Sequence, residues 1–466
     1  MKPAMNDELR MTNDEYRDRL FHSSFVIRHS SFFRAMLCIA LLCLFTPILW
    51  SQAPANPTVE QSADTLIKEA LAAYQSGRLE IAVDKLRQAY KAAPANPHAR
   101  LYLGLLLYQK DSSSLEAQDL MESVLDQFPT NPDLLLRLTD SYLASRKEAR
   151  IPSLLERSKQ TRAANHRLAL NIIYILVRYA QLEPARRELD GFSAILQSLL
   201  QARTPADPTL TREMGEVFFI RGLVAATSGQ KDEAMQQFQA ADRNDFPPQD
   251  SPQMKMLAEA LFRLEEYALA AQAYQTYLSH FPEDDDARLQ LAISYCSSSS
   301  FIRAQEQLLR LYKKAPEMPE VNYYLGMVLL EAKNHEEARR HFESELRVNP
   351  SSYQSMAELG YLDYTQGDNE KCRQWLDKAA ALNSKWPETN FVFGLLYNRL
   401  AKYDLAVKNL ESAVSENPKH LKAHFQLSIA YRRSGNEAKA KEHADIYSRL
   451  LEGHKAKSLG DDPRKK

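Results

Sequence analysis

His420 and His424 stand four residues apart. On a helix that spacing puts both imidazoles on one face, one turn apart, where a transition metal could take a nitrogen from each. A zinc site needs three or four protein ligands. No glutamate follows His420 as it would on a metalloprotease helix, and the neighbouring sequence offers no third ligand. The pair therefore reads as surface, as do His335 and His341. The densest acidic run is Glu283-Asp284-Asp285-Asp286. A calcium loop needs spaced oxygen ligands around a central glycine. These acids instead follow Pro282 at a helix start, where carboxylates suit the positive end of the helix dipole. The chain has no HExxH, no CxxC and no phosphate-cradling glycine loop. Neither a cofactor nor a metal is expected. With 59 Lys+Arg against 60 Asp+Glu, the net charge of −1 gives no bulk attraction to nucleic acid.

The elements that would position any site repeat on a fixed ruler. Pro282, Pro316, Pro350 and Pro418 are separated by 34 residues or twice that. Ala270, Ala304, Ala338, Ala406 and Ala440 keep the same register, with Cys372 in the missing slot. Gly326, Gly360 and Gly394 keep it too. Such a period marks an array of one small supersecondary unit. In the unit around Pro319, an apolar run from Val321 to Leu330 has helical spacing. Lys333-Asn334-His335 breaks it, and Glu336 to Val348 puts Ala338, Phe342 and Leu346 on one face. Pro350 ends the pair, because proline lacks an amide donor and clashes inside a helix. Gly326 and Ala338 mark the close approach of the two helices, and Phe342 fills the space beside them. One hairpin cannot bury this much apolar surface alone, so hairpins must stack.

These positions resemble the tetratricopeptide repeat family. Six consecutive repeats start at Ser251, Asp285, Pro319, Tyr353, Pro387 and Leu421. The small residue of place 8 reads Ala258, Ala292, Gly326, Gly360, Gly394 and Ser428. Place 24 reads Tyr274, Leu308, Phe342, Leu376, Leu410 and Ala444. The resemblance implies an all-α fold, a right-handed α-solenoid of stacked antiparallel hairpins. It also implies a concave groove lined by the first helix of each repeat. Carried over, the groove residues are Tyr323 and Met327 in the third repeat, and Tyr361 and Tyr364 in the fourth. The fifth repeat gives Phe391, Leu395, Asn398 and Arg399; the last gives Phe425, Arg432 and Arg433. The set is aromatic and apolar, turning basic towards the C-terminus. It suits a protein or peptide segment with apolar anchors and an acidic end. Members that clamp a C-terminal carboxylate carry Lys and Asn where Phe391, Leu395, Phe425 and Ile429 stand here, so that binding mode is not expected.

Along the chain, residues 1–35 hold short duplications, Asn6-Asp7-Glu8 with Asn13-Asp14-Glu15 and His22-Ser23-Ser24-Phe25 with His29-Ser30-Ser31-Phe32. They read either as a translated upstream repeat, with the start near Met36, or as a disordered extension. Residues 36–55 hold all but the first residue of the apolar run Ala35 to Trp50, preceded by Arg28 and Arg34. Small residues at Ser51 to Ala55 offer a cleavage site. This is a secretory signal or an uncleaved anchor. Leu37 and Leu42 stand where a lipid-attachment box needs a small residue before Cys38 or Cys43.

Repeats occupy 56–143, with one extra residue in the Asp111–Ser114 turn. In 144–212 the ruler fails over degenerate helical hairpins, and the Ala202–Leu210 loop is the expected hinge or boundary. A regular array spans 213–451, and 452–466 is a basic, disordered tail. Cys296 and Cys372, two repeats apart, cannot reach one another. The expected function is a non-catalytic scaffold, exported to the periplasm, that binds a protein or peptide. The alternative is a membrane-anchored component of an envelope assembly or secretion complex, held to the inner membrane only by an uncleaved N-terminal segment. An enzyme would need a separate catalytic domain, and repeats run to about Leu451.

Overall fold

The structure, a computed structural model, describes residues 57–202 and 207–460. The expectations for residues 1–35 and 36–55 lie outside them. The elements of the described residues are all helical, and none of their helices is long and apolar enough to cross a membrane. Close packing divides the chain into two compact units, between Pro247 and Pro248.

The first unit holds α1 (Pro57–Gln75), α2 (Leu79–Ala92), α3 (Pro97–Lys110), α4 (Leu115–Glu122) and α5 (Pro132–Ala144). A single 3-10 turn then leads into α6 (Ile151–Arg157), α7 (Lys159–Ala164), α8 (His166–Arg178), α9 (Leu182–Ala202), α10 (Pro208–Thr227) and α11 (Lys231–Asp242). Two of these helices start on an Asn-Pro pair for one reason. Asn96 Oδ1 accepts from the His98 and Ala99 amides at 3.0 and 3.1 Å, and Asn131 Oδ1 from Leu134 N at 3.0 Å. The following proline needs no donor at the first helical position.

The ruler fails after α5 for two visible reasons. One helical segment is split into the short α6 and α7, and α9 runs for 21 residues where regular second helices run for 14. Arg162 of α7 is buried in this stretch. It reaches Leu155 O at 2.6 Å and Ser158 Oγ at 3.1 Å, and pairs with Glu188. The expected 202–210 loop is shorter than the sequence suggests. Asp207 caps the next helix through Thr209 N, and Pro208 already opens α10.

The second unit is regular: α12 (Gln253–Arg263), α13 (Tyr267–His280), α14 (Asp285–Ser297), α15 (Phe301–Lys314), α16 (Val321–Glu331) and α17 (His335–Val348). It continues with α18 (Tyr353–Gln366), α19 (Asn369–Leu382), α20 (Pro387–Arg399), α21 (Tyr403–Glu416), α22 (Leu421–Arg433) and α23 (Glu437–Gly460). The last helix corrects the expected tail, since helix continues from 452 to Gly460. Lys, Ala and Leu in that stretch are good helix formers.

Each first helix ends in a left-handed residue at the same place: Glu265, Ser299, Lys333, Gly367, Ala401 and Gly435. The amide of that residue and the one after it turn back, as in Lys333 N to Leu330 O and Asn334 N to Leu329 O, both 2.9 Å. This left-handed close satisfies carbonyls that the helix end would leave unpaired.

Inside five of the hairpins, a glycine of the first helix faces a large side chain of the second. A Cβ at Gly326 would stand 2.6 Å from Phe342 Cε1, one at Gly222 2.5 Å from Phe238 Cδ1, and one at Gly360 3.0 Å from Leu376 Cδ2. At Gly104 the neighbour is Met121 Cγ at 2.9 Å. Met121 lies one residue further along than the ruler predicts, because the Asp111–Ser114 turn absorbs the insertion.

Cys296 and Cys372 are buried and unbridged. Burial pushes each thiol up to about 12. At pH 8 only about one thiol in ten thousand is then the reactive thiolate. In the folded protein Cys296 and Cys372 are expected to resist maleimide, and to react once denaturant is added. Stoichiometric labelling of either residue in the native chain, read by peptide mass, would contradict this.

Candidate functional site

The acidic run is structural. Asp284 caps α14 by accepting from Ala287 N at 2.8 Å, and it receives Lys255 Nζ at 2.9 Å and Tyr277 Oη at 3.0 Å. Burial pulls its carboxyl up, but Lys255, the Ala287 amide and Tyr277 outweigh it and hold it below the usual range. Lys314 bridges Glu283 and Asp285 at 3.1 and 2.8 Å.

The histidines correct the surface reading. His420 and His424 are buried, at 1% and 4% exposure. His420 caps α22 through Ala423 N at 3.1 Å and lies against the Phe391 ring. His424 meets His443 of α23, a partner that the sequence reading missed. His341 is also half-buried, 2.9 Å from Asn322 Oδ1 and edge-on to Tyr312. Among the described residues, no group of three or more metal-ligating side chains converges.

The residues expected in the groove separate by burial. Met327, Phe391 and Leu395 are buried, at 6%, 4% and 7% exposure, within the hydrophobic clusters of the second unit. Each belongs to a cluster drawn from three or more helices, so its chief contribution is packing. Tyr361 and Tyr364 lie half-buried against the cluster that contains Phe391 and Leu395. Tyr323 is half-buried too, its ring 5.0 Å from Tyr324 and 6.0 Å from Phe342.

Arg399 crosses from the next repeat. Its guanidinium sits 3.5 Å over the Tyr364 ring, and Nη1 donates to Tyr364 O at 2.6 Å and Asn369 Oδ1 at 3.2 Å. That anchors both side chains with a cation on the outside of the ring. Asn398 donates to Gln426 O at 3.2 Å, tying α20 to α22. Phe425 is 44% exposed, with Tyr447 5.2 Å away, and Arg432 and Arg433 are exposed at the end of α22.

One residue of this face escaped the sequence reading. Glu259 on α12 holds the place filled by Ile293, Met327, Tyr361, Leu395 and Ile429 in later repeats. Burial raises its carboxyl to about 6, against the opposing pull of Lys255 and Arg263. An acid in an otherwise apolar column was the signal available.

Each unit is thus an all-helical solenoid of stacked hairpins. The tetratricopeptide repeat family model matches residues 67–132, 255–301, 289–345 and 391–450. The chain is a tetratricopeptide-repeat protein. Its class consists of protein-interaction scaffolds that are generally non-catalytic.

No curated protein matches the chain. Among solved structures it is similar to TTC0263, a thermophilic repeat protein in Thermus thermophilus, at 21% identity over 38% of this chain and 97% of that one, with a TM-score of 0.34. It is similar to the APC/C hetero-tetramer Cut9-Hcn1 at 13% identity, over 85% and 99% of the two chains, TM-score 0.41. It is also similar to PilW, a type IV pilus biogenesis factor, at 19% identity over 42% and 91%, TM-score 0.36. Likenesses this distant carry nothing over about partner or location.

Proposed function

We propose that this protein is an exported, non-catalytic scaffold whose second unit holds a peptide or protein segment along the first helices of its repeats. The supporting observation is the Tyr364–Arg399 stack, followed by exposed Phe425 and then Arg432 and Arg433. Tyrosine and arginine are among the side chains enriched where a few residues dominate interface energetics. A partner with apolar side chains followed by acidic ones complements that order. Tyr323 and Tyr361 extend the face. Met327, Phe391, Leu395 and Asn398 give it a rigid floor. Export rests on the sequence from Arg28 to Ala55, and the periplasm is the compartment that such a signal suits. Sequencing the mature N-terminus separates a cleaved signal from an inner-membrane anchor.

The test is affinity capture from an envelope extract, comparing wild type with Tyr364→Ala/Phe425→Ala/Arg432→Glu at matched helicity. Truncating contact residues of this kind typically removes about 2 kcal/mol or more, a loss of roughly thirtyfold. A partner held by wild type and lost by the variant is the expected result. Equal capture by both would place binding elsewhere.

A further inference from the structure

His424 of α22 and His443 of α23 face one another with Nδ1 to Nδ1 at 3.0 Å and ring centroids 5.2 Å apart. The other nitrogen of His424, Nε2, lies 3.0 Å from the Pro418 carbonyl oxygen. A carbonyl oxygen only accepts, so Nε2 carries a hydrogen, and neutral His424 has a bare Nδ1. That nitrogen accepts from His443 Nδ1–H. One added proton can be accommodated: His424 becomes the donor, and His443 turns to its other tautomer and accepts. A second proton cannot, because two N–H groups would then point at each other across a part-buried contact with no acceptor between them. We infer that His424 and His443 form a proton-gated clasp, which holds the terminal helix α23 on α22 while at most one of the rings is charged and releases it in acid.

The surroundings do not relieve the conflict. His424 is 4% exposed. The Tyr431 ring stacks on His443 with centroids 5.7 Å apart. The charged groups acting on the pair are Glu411 of α21 and Lys439 and Glu442 of α23. Glu411 is already engaged by the Tyr431 hydroxyl and by Lys439 Nζ at 3.2 Å. From α20 the neighbour is the Phe391 ring, tilted against His420 one turn before His424. Burial lowers both imidazoles below the ordinary histidine value, and the opposed positive charge lowers His424 further, against the pull of the Pro418 carbonyl.

The sign follows. Groups that prefer to be neutral in the folded state give stability that is complete above the ordinary histidine value and is lost as pH falls below it. Among the described residues α23 packs chiefly on α22, so it can open without disturbing the repeats before it.

The experiment is hydrogen exchange of the full chain at pH 7.5 and 5.5, corrected for intrinsic exchange rates. One unit below the ordinary histidine value, a released imidazole is about tenfold more protonated than neutral. Protection of Glu437–Gly460 should therefore fall by up to about tenfold, while α18–α19, which contain no histidine, keep theirs. In His443→Asn the amide can donate to neutral His424, or turn its oxygen to protonated His424. The acid step should then vanish. Equal protection of wild-type α23 at both pH values overturns the inference, as does a step that persists unchanged in His443→Asn. If the variant does not fold, the wild-type comparison decides alone.

Discussion

Replacing Phe342 with alanine lowers stability by about 3–5 kcal/mol, the usual cost of emptying a buried aromatic site. The ring is 0% exposed, lies beneath Gly326, and belongs to the cluster shared by α16, α17 and α18. The site cannot collapse easily, because the surrounding helices are fixed by the repeats on either side. Long arrays unfold in parts, so the effect is read both in denaturant unfolding and as lost exchange protection across Val321–Val348. The pairing with Gly326 adds a second readout. Gly326→Ala alone meets Phe342 Cε1 at 2.6 Å, whereas in a Phe342→Leu background the ring is gone and the penalty should shrink. That coupling is what neighbours in contact display. A Phe342→Ala cost under about 1 kcal/mol would contradict this packing.

Gly394→Val is expected to cost about 3 kcal/mol, at the upper end of ordinary overpacking. A Cβ there would stand 2.5 Å from Leu410 Cδ2 and closer still to Cγ. Leu410 is 0% exposed and is held by α21 and α22, so it cannot swing away as a surface side chain would. Gly191 is the matched control. It lies in the interior of α9, is exposed, and has nothing within 4 Å of its Cβ position. Gly191→Ala should therefore stabilise the protein by about 0.5–1 kcal/mol through helix propensity alone. Thermal midpoints that move in the same direction for the two variants would contradict the distinction.

How far the candidate site was legible depended on which contacts recur with the period. The column of first-helix residues could be written down from the register, and Tyr361, Tyr364, Arg399, Phe425, Arg432 and Arg433 lie on or near the surface. The register did not reveal that Met327, Phe391 and Leu395 are buried, because burial at a given place depends on the bulk of neighbouring repeats. Nor did it reveal that Arg399 is pinned over Tyr364. Spacing suggested surface for His420 and His424. Their real partners, Phe391 and His443, lie on other helices and recur with no period.

By itself, the sequence determined the hairpins, their order and the opposition of small to large within each one. Gly326 against Phe342 and Gly394 against Leu410 are set by helix geometry, which places residues at a fixed separation across a short turn. Only the tertiary structure decided what passes between hairpins. Glu345, 1% exposed in a slot that Tyr277, Leu311, Ala379 and Ala413 fill in other repeats, accepts from Glu320 N at 3.0 Å and so caps α16 from the following helix. Arg162 is buried because α6 and α7 fold over it and bring its guanidinium to Glu188 and the Leu155 carbonyl. The His424–His443 clasp exists because α23 packs back on α22. A 34-residue period encodes what every repeat shares, whereas these contacts arise where one repeat departs from the pattern and its neighbour compensates.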